Sequence, residues 1–360
     1  MSRIWNFSAG PATLPLPALK RAQAEFLDWD GAGMSVLEAS HRSKEYDQVH
    51  NEAANSFREL LGLDDDFAVL FLQGGASTQF AMLPMNFLPA GGSADYINTG
   101  AWSKKALAEA KMLGVAREAG TAGPEFTRVV REGEMDLDPN AAYVHITSNN
   151  TIKGTQYYDF PDCGSVPLVG DMSSDFLWQP FDANRFHMIY AGAQKNIGPA
   201  GVTVVLIRKS WLETANQAIP TMLRYGTHEE KNSLYNTPPT FTIYMVRNVL
   251  DWVKGEGGLP AMEKRNREKG DLLYSAIEGH GDFYRCPVDE ASRSYMNVVF
   301  RLPTEELEAK FVAEAKSAGL SGLKGHRSVG GCRASIYNAM ELAGVEALTG
   351  FMDQFVRNNG

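Results

Sequence analysis

Residues 190–208 read YAGAQKNIGPAGVTVVLIR and place one lysine, Lys195, between two apolar segments that predict β-strands. Small residues flank the lysine at 191–193 and 198–201. A lysine in a loop is usually solvated, but this one lies between two buried elements, with room for a bulky group beside it. Burial lowers the pKa of an ammonium group, and the neutral amine can then form a Schiff base with an aldehyde. The stretch therefore predicts a reactive lysine.

Short apolar runs alternate with helical patterns over the first two-thirds of the chain. The runs typical of strands lie at residues 67–72, 93–97, 142–147, 165–170, 186–191 and 202–208. Residues 45–61 show helical spacing instead, with apolar side chains every three or four positions. This alternation predicts an α/β domain with a mostly parallel sheet flanked by helices.

The pattern changes after a long predicted helix that begins near residue 240. Shorter elements follow, with strands at 295–302 and 333–338, a helix at 305–319 and a last helix that ends near Arg357. They predict a smaller α+β domain at the C-terminus. We expect residues 15–255 to form the large domain, and residues 1–14 and 256–360 to form the small one.

Length and composition exclude several classes of protein. The 360 residues are 44% hydrophobic and can bury a sizeable core. A formal charge of -9 with mixed signs argues against nucleic acid as a partner. No apolar run reaches the roughly eighteen residues of a membrane span. Residues 1–17 lack the pattern of a secretory signal, so we expect a cytoplasmic protein.

Cysteine, histidine and glycine patterns exclude other chemistries. Cys163, Cys286 and Cys332 are too scattered for a disulfide framework or a zinc site, so we expect buried free thiols. The seven histidines show no metal-ligand spacing, and no metal is predicted. The motifs G-x-G-x-x-G, G-x-x-x-x-G-K-S/T, G-x-S-x-G and H-E-x-x-H are missing. Dehydrogenases, P-loop enzymes, α/β hydrolases and zinc hydrolases are therefore disfavoured.

If the aldehyde that meets Lys195 is pyridoxal phosphate, the site needs a carboxylate to keep the pyridine nitrogen protonated. Asp171 follows the predicted strand at 165–170, at the edge of an α/β sheet where ligand groups collect. The site also needs a seat for the phosphate. QGGAST at 73–78 provides close-approach glycines, Ala76, and the hydroxyls of Ser77 and Thr78, before a helix predicted to begin near Gln79.

The ring of such a cofactor needs a flat surface and a donor for its hydroxyl group. Trp102 follows the strand at 93–97 and could stack on the ring. Thr151 follows the strand at 142–147 and could bond the hydroxyl group. Because these residues all lie at carboxyl ends of predicted strands, they should meet at one edge of the sheet.

Substrate recognition is expected from fixed cations in two loops of similar composition. Arginine is well suited to bidentate capture of carboxylate and phosphate groups. The candidates are His41, Arg42, His326, Arg327 and Arg333. Five such groups indicate a ligand that carries more than one negative group.

Nine motifs in chain order resemble the phosphoserine aminotransferases, a family of class V aminotransferases in the pyridoxal-phosphate fold type I superfamily. The resemblance covers essentially the whole chain. The motifs are FSAGPATLP (7–15), SHRS (40–43), QGGASTQF (73–80), GAWS (100–103), SNNTI (148–152), GDMSSDF (170–176), AGAQKNIGPAG (191–201), NTPPTF (236–241) and GHRSVGGCRASIYNA (325–339).

The resemblance implies a role for each candidate residue. Lys195 would hold pyridoxal 5'-phosphate covalently and move a proton at the substrate Cα, while Asp171 would pair with the pyridinium. Trp102 would stack on the ring, and Thr151 would bond its hydroxyl group. The phosphate would be bound by Ala76, Ser77 and Gln194, with Asn236 and Thr237 from the second subunit of a homodimer. The two cationic loops would bind the substrate's carboxylate and phosphate.

The implied reaction is reversible amino transfer between L-glutamate and 3-phosphohydroxypyruvate, which gives O-phospho-L-serine and 2-oxoglutarate. A related activity in pyridoxine biosynthesis is compatible with the same site. Two other class V enzymes stay open as alternatives, an alanine–glyoxylate-type aminotransferase and a cysteine desulfurase. The desulfurase would need a cysteine near the site, and Cys332 is the candidate. A non-catalytic binding protein for phosphorylated or dicarboxylic metabolites is a third alternative.

Overall fold

The computed structural model describes residues 3–360. In chain order its strands are β1 (Trp5–Asn6), β2 (Phe67–Leu72), β3 (Ser93–Asn98), β4 (Val115–Thr121), β5 (Val144–Thr147), β6 (Asn149–Asn150), β7 (Thr155–Gln156), β8 (Leu168–Asp171), β9 (Met188–Gly192), β10 (Thr203–Arg208), β11 (Asn297–Phe300), β12 (Leu320–Ser321) and β13 (Cys332–Ser335). Its α-helices are α1 (Leu16–Ala24), α2 (Lys44–Leu61), α3 (Gly75–Phe87), α4 (Ala101–Leu113), α5 (Lys209–Leu212), α6 (Tyr225–Glu230), α7 (Thr240–Gly255), α8 (Gly258–Gly279), α9 (Glu305–Ser317) and α10 (Leu342–Asn359).

A seven-stranded sheet forms the centre of the protein, with strand order β2-β10-β9-β8-β5-β3-β4. Strands β9, β8, β5, β3 and β4 are parallel to one another, and β10 is antiparallel to both of its neighbours. Thr203 of β10 pairs with Gly192 of β9 and with Leu72 of β2. The mostly parallel α/β sheet predicted from the sequence is therefore confirmed.

Helices cover both faces of this sheet, because its strands are apolar on both sides. In β10, Val204 and Leu206 belong to one hydrophobic cluster, whereas Val205 and Ile207 belong to the other. This alternation follows from side chains that point to opposite faces along a strand. The first cluster packs against α2 and α7, and the second packs against α3 and α4. Burial on both faces explains why the strands read as continuous apolar runs.

A separate hydrophobic cluster lies in the C-terminal part of the chain. It joins α9, α10, the second half of α8 and the antiparallel pair β11–β13, and it includes Phe7. Strand β1 pairs in parallel with β12, so the N-terminal segment packs with this C-terminal cluster although it is distant in sequence. Leu259 and Met262 of α8 instead contact the core of the large sheet. We propose on this basis that the small domain comprises residues 1–14 and 256–360, of which residues 1 and 2 lie outside the described chain, with α8 packed against both parts.

One strand of the sheet was not predicted from the sequence. Strand β4, VAREAGT, lies at the edge of the sheet, and Val115, Glu118 and Thr121 are exposed. An edge strand pairs with only one neighbouring strand and can carry polar residues. The continuous apolar run that marks the central strands is therefore missing here. Sequence reasoning that relies on apolar runs misses such strands.

The structure also bears on two predictions from composition. All three cysteines are free thiols, but only Cys332 is buried. Cys163 and Cys286 are partly exposed, because each lies in a loop at the rim of a core cluster, so their predicted burial was wrong. Across residues 3–360, no helix has both the length and the apolar character required to cross a bilayer.

The cluster of the C-terminal part should contribute strongly to stability. Leu273 of α8 is fully buried within it. Leu273→Ala should lower the free energy of unfolding by about 2–5 kcal/mol, because it leaves a cavity in a packed core. Leu113→Ala is the matched control, since Leu113 is 44% exposed, and it should cost less than about 1 kcal/mol. Urea unfolding measures both, and equal losses would contradict this assignment of the core.

Candidate active site

Loops at the carboxyl ends of β2, β3, β5, β8 and β9 meet above one edge of the sheet and line a cavity of about 450 Å³. The N-terminal segment contributes Ala9 and Gly10 to the same cavity. The predicted site residues that line it are Ala76, Ser77, Trp102, Thr151, Asp171, Gln194, Lys195, His326 and Arg333. The structure thus brings together the lysine, carboxylate, aromatic ring and glycine turn that were predicted to meet.

Lys195 lies in the turn between β9 and β10, is partly buried and lines the cavity. Its Nζ donates a hydrogen bond of 2.8 Å to Thr151 Oγ1. Burial lowers the pKa of Lys195 from 10.5 to about 8. The carboxylates of Asp171 and Asp175 oppose this shift, whereas the Arg333 guanidinium adds to it. Near neutral pH a far larger share of this amine is therefore neutral, and nucleophilic, than of a solvated lysine, although the ammonium form still predominates.

Asp171 is the last residue of β8 and is only 4% exposed. Burial raises the pKa of its carboxyl group, while hydrogen bonds from Ser173 and the charge of Lys195 lower it. The backbone N–H of Ser173 donates to Asp171 Oδ1 at 3.0 Å, which fixes the orientation of the carboxylate. A buried acid on the cavity wall is suited to stabilise a cationic ring nitrogen.

Trp102 lies in the first turn of α4 and presents its indole ring to the cavity. Lys195 Nζ is 5.7 Å from the centroid of this ring. The indole Nε1 is buried and has no hydrogen-bond partner among residues 3–360. The ring thus offers an aromatic face beside the reactive amine, together with one unused donor.

The glycine turn begins helix α3 four residues earlier than predicted, at Gly75 instead of near Gln79. Gly74 caps the helix with φ of 91°, a conformation that favours glycine, and a Cβ there would lie 1.9 Å from Thr78 Oγ1. Ala76 and Ser77 therefore lie in the first helical turn, where backbone N–H groups lack partners within the helix. Such a turn binds anions. Thr78 is not a free donor, because its hydroxyl bonds to Gly74 O at 3.1 Å.

Gln194 precedes the lysine, and its side chain folds back over Gly192. A Cβ at Gly192 would lie 2.8 Å from Gln194 Oε1, so a larger residue there would require the Gln194 side chain to move. The Gln194 carbonyl accepts a hydrogen bond of 2.9 Å from Ala12 N, which ties the N-terminal segment to the lysine turn. The small residues around Lys195 thus provide the space that the sequence suggested.

Two of the five predicted cations reach the cavity. Arg333 donates from Nη1 to Thr151 O at 3.1 Å, and its buried Nε has no partner within the described chain. His326 is partly buried, and Ser328 Oγ lies 2.7 Å from its Nδ1. Burial and the charges of Arg333, Arg327 and Lys105 lower the pKa of His326. Arg333 thus has unused hydrogen-bonding capacity towards an anion.

The other predicted residues lie outside the cavity of the single chain. Arg42 and Arg327 are exposed, and His41 is partly buried with Nε2 unpaired in the part of the chain described. Asn236 donates to Thr237 O at 3.3 Å, and the same carbonyl lies 3.4 Å from Gln73 Nε2. The loop of Asn236 and Thr237 therefore lies beside the residue that begins the glycine turn, without lining its cavity.

A second buried carboxylate, Asp175, was missed by the sequence reasoning. Both of its oxygens accept hydrogen bonds, one from Ser148 and the other from Gln156. Burial raises the pKa of Asp175 to about 7. The motif GDMSSDF contains this aspartate, but no local signal separates it from a helix cap or turn residue.

The profile of the family Aminotransferase class-V matches residues 4–348 of the chain. A phosphoserine aminotransferase of Desulfatibacillum aliphaticivorans is 58% identical over 360 residues, which cover 100% of this chain and 99% of that protein. The chain belongs to the phosphoserine aminotransferase family of class V aminotransferases. The phosphoserine aminotransferase of Niallia circulans is 54% identical over 359 residues, with 99% of both chains covered. The solved structure of the enzyme from Bacillus circulans subsp. alkalophilus superposes with a TM-score of 0.98, at 54% identity and 99% coverage of both chains.

Class V aminotransferases use pyridoxal phosphate, and this cavity fits that cofactor. The fit rests on four features of the structure, which are the amine of Lys195, the buried carboxylate of Asp171, the ring of Trp102 and the open helix turn at Ala76. Together they match an aldehyde, a cationic ring nitrogen, an aromatic ring and a phosphate.

The alternative of a cysteine desulfurase is not favoured within this family. Cys332 lies in β13 and is only 2% exposed. Burial raises the pKa of its thiol, and Glu308 raises it further. A buried, protonated thiol on a strand does not suit a nucleophile that must move to a substrate. The alanine–glyoxylate-type alternative is not favoured either, because the relatives at 54–58% identity are phosphoserine aminotransferases.

The lowered pKa of Lys195 can be tested in the cofactor-free chain. Competitive labelling with acetic anhydride, followed by mass spectrometry, should show half-maximal reactivity of Lys195 near pH 8 instead of 10.5. Asp171→Asn should move this midpoint to lower pH, because the Asp171 carboxylate stabilises the ammonium form. Asp159→Asn is the control, since that side chain is 91% exposed on the surface. A midpoint near 10.5 in the unmodified chain would refute the assignment.

Proposed function

We propose that the chain catalyses reversible amino transfer between L-glutamate and 3-phosphohydroxypyruvate, giving O-phospho-L-serine and 2-oxoglutarate in L-serine biosynthesis. The observation that carries this proposal is the Lys195 amine beside the Trp102 ring, in the same cavity as the Asp171 carboxylate. The full-length relatives named as phosphoserine aminotransferases support the choice of substrates. A further activity in pyridoxine biosynthesis and a cytoplasmic location stay predictions.

Pyridoxal 5'-phosphate would be held by the residues that line the cavity. When bound, it supplies an aldehyde carbon that accepts amino groups and a protonated ring that withdraws electrons. Asp171 would hold the proton on the ring nitrogen, and Trp102 would cover one ring face. Thr151 would bond the ring hydroxyl, and Ala76, Ser77 and Gln194 would bind the phosphate.

Lys195 would provide both the covalent attachment and the acid–base group. Its amine is hydrogen-bonded to Thr151. It can remove a proton from the Cα of the amino-acid substrate and return a proton to the Cα of the product in the other half-reaction. The pKa of about 8 suits this exchange, because both protonation states are populated near neutral pH. Glutamate and the phosphorylated keto acid would use the same site in turn.

Arg333 would bind the carboxylate common to both substrates. Its position next to Thr151 places the guanidinium beside the reacting lysine. His326 lines the same cavity and would add a contact to an anionic group. Planar, bidentate contacts to carboxylates are the usual reason for an arginine in such a place.

We propose a homodimer in which the second subunit completes each site. Asn236 and Thr237 would reach the cofactor phosphate of the partner, and we place His41, Arg42 and Arg327 near the substrate phosphate in the assembled dimer. Four exposed apolar side chains close together in sequence, Phe26, Leu27, Met34 and Leu37, support an interface at this segment, because Leu27 is 82% and Leu37 49% exposed. The ring of Phe26 packs edge-on against Phe241 at 6.2 Å, and Phe241 lies in the first turn of α7, the helix that follows the loop of Asn236 and Thr237.

The reaction can be tested directly on purified protein. Incubation with pyridoxal phosphate should produce a visible absorption band, and the loaded protein should form 2-oxoglutarate from glutamate and 3-phosphohydroxypyruvate. Lys195→Ala should lose at least about 10³-fold in kcat, because both the covalent attachment and the proton transfer are removed. Lys111→Ala, at an exposed position of α4, should keep full activity. A colourless protein, or an active Lys195→Ala variant, would refute the proposal.

The shared site can be tested by mixing two inactive variants. One carries Lys195→Ala, and the other carries Asn236→Ala together with Thr237→Ala. In a mixed dimer, one site combines Lys195 of one subunit with an intact Asn236–Thr237 loop of the other. Random mixing should restore about one quarter of the full activity, since half of the dimers carry one complete site. Mixed subunits that stay inactive while forming dimers would show that each chain completes its own site.

A further inference from the structure

Three buried asparagines connect the lysine turn to helix α8. Asn196 directly follows Lys195, Asn338 follows strand β13, and Asn266 lies in α8. Their exposed fractions are 5%, 0% and 0%. We propose that Asn196 is a positioning residue for Lys195 and that the loop after β13 holds it in place. This inference deepens the proposed role of Lys195 and rests on it.

The Asn196 side chain bonds to two segments that are distant in sequence. Its Oδ1 accepts a hydrogen bond of 3.0 Å from the backbone N–H of Asn338. Its Nδ2 donates to Phe176 O at 2.9 Å. Phe176 belongs to the loop after Asp171, so one side chain ties the lysine turn both to the C-terminal part of the chain and to the loop that follows the carboxylate.

Asn338 also bonds to the loop that follows Asp171, at the residue after Phe176. Its Nδ2 donates to Leu177 O at 2.9 Å, and its Oδ1 accepts from Asn266 Nδ2 at 2.8 Å. Asn266 Nδ2 also donates to Trp178 O at 3.0 Å. Leu177 has φ of 62°, a left-handed conformation that leucine rarely adopts. Backbone strain of this kind persists only where the surrounding contacts impose it.

A buried lysine of α8 holds the loop of Asn338. Lys269 is fully buried and donates to Ile336 O at 2.9 Å and to Tyr337 O at 2.7 Å. The hydroxyl of Tyr337 in turn donates to Ala9 O at 2.7 Å, and Ala9 lines the active-site cavity. The loop at 336–338 is therefore fixed before it contacts Asn196, and it can act as a rigid support.

The orientation of the Lys195 amine depends on where its backbone lies. The groups that face this amine are Thr151, the Trp102 ring, Asp171, Asp175 and Arg333. None of them belongs to the lysine turn itself. If Asn196 no longer fixes that turn, these groups stay in place while the amine moves relative to them. The expected consequences are a slower reaction and greater access of water to the amine, with substrate binding largely kept.

The test compares Asn196→Ala with Asn86→Ala. Asn86 is a matched control because it is 2% exposed and donates to the carbonyls of Met82 and Leu223, both at 2.8 Å, without lining the cavity. Asn196→Ala should lower kcat at least about tenfold while KM changes less than about twofold. Asn86→Ala should keep both constants within about twofold, even if its melting temperature falls equally.

Labelling of Lys195 in the cofactor-free chain gives a second readout. In Asn196→Ala the midpoint should rise from about 8 towards 10.5, because hydration stabilises the ammonium form. In Asn86→Ala it should stay near 8. If Asn196→Ala does not fold, Asn338→Ala replaces it, since this variant loses the bonds to Leu177 and Asn266, and kcat and the midpoint should change in the same directions.

An unchanged kcat and midpoint in the asparagine variant would overturn the inference, as would equal changes in Asn86→Ala. The labelling result does not depend on amino transfer. A protein without this activity whose midpoint still shifts in Asn196→Ala would refute the proposed function and keep the positioning role. If the protein is active but Asn196→Ala changes neither the midpoint nor kcat, the proposed function stands and the positioning role is refuted.

Discussion

The burial of a lysine amine is the constraint on which this site depends. Removing an ammonium group from water costs several kcal/mol unless other groups stabilise it or it loses its proton. The cavity uses both routes, because Thr151 accepts a hydrogen bond from Lys195 while burial lowers the pKa to about 8. Asp171 limits that shift, so the amine keeps access to both protonation states. A general base and nucleophile at neutral pH needs this balance.

The topology of the sheet places the lysine where it can be buried. Because β10 is antiparallel to β9, a turn of ten residues, 193–202, connects them, whereas a parallel neighbour would need a crossover of a dozen residues or more. The turn is closed by a hydrogen bond from Ala193 N to Val202 O at 2.9 Å. It therefore stays at the edge of the sheet where the parallel strands end, and where Asp171 and the helix turn at Ala76 already lie.

The sequence allowed more to be predicted about the centre of the site than about its surroundings. Asp171, Trp102 and Thr151 follow strands that were predicted from the sequence, and parallel strands end at one edge, so their meeting could be inferred. The start of α3 was placed too late, since Gly74 caps the helix through a left-handed backbone instead of a polar side chain. Asp175 was missed because its partners come from distant segments, Ser148 from the residue after β5 and Gln156 from β7.

By itself, the sequence determined most strands of the central sheet, the reactive lysine and the family. These follow from local patterns, namely apolar periodicity, small residues around Lys195 and motifs of fixed spacing. Only the tertiary structure decided how deeply the amine is buried, which cations reach it and how Asn196 is held. Arg333 lines the cavity while Arg42 does not, although the sequence predicted both in loops of similar composition; Arg333 in fact lies in β13. The physical reason is that burial and hydrogen bonding depend on contacts between segments far apart in the chain, such as Asn196 and Asn338 at 3.0 Å, and no local pattern encodes such contacts.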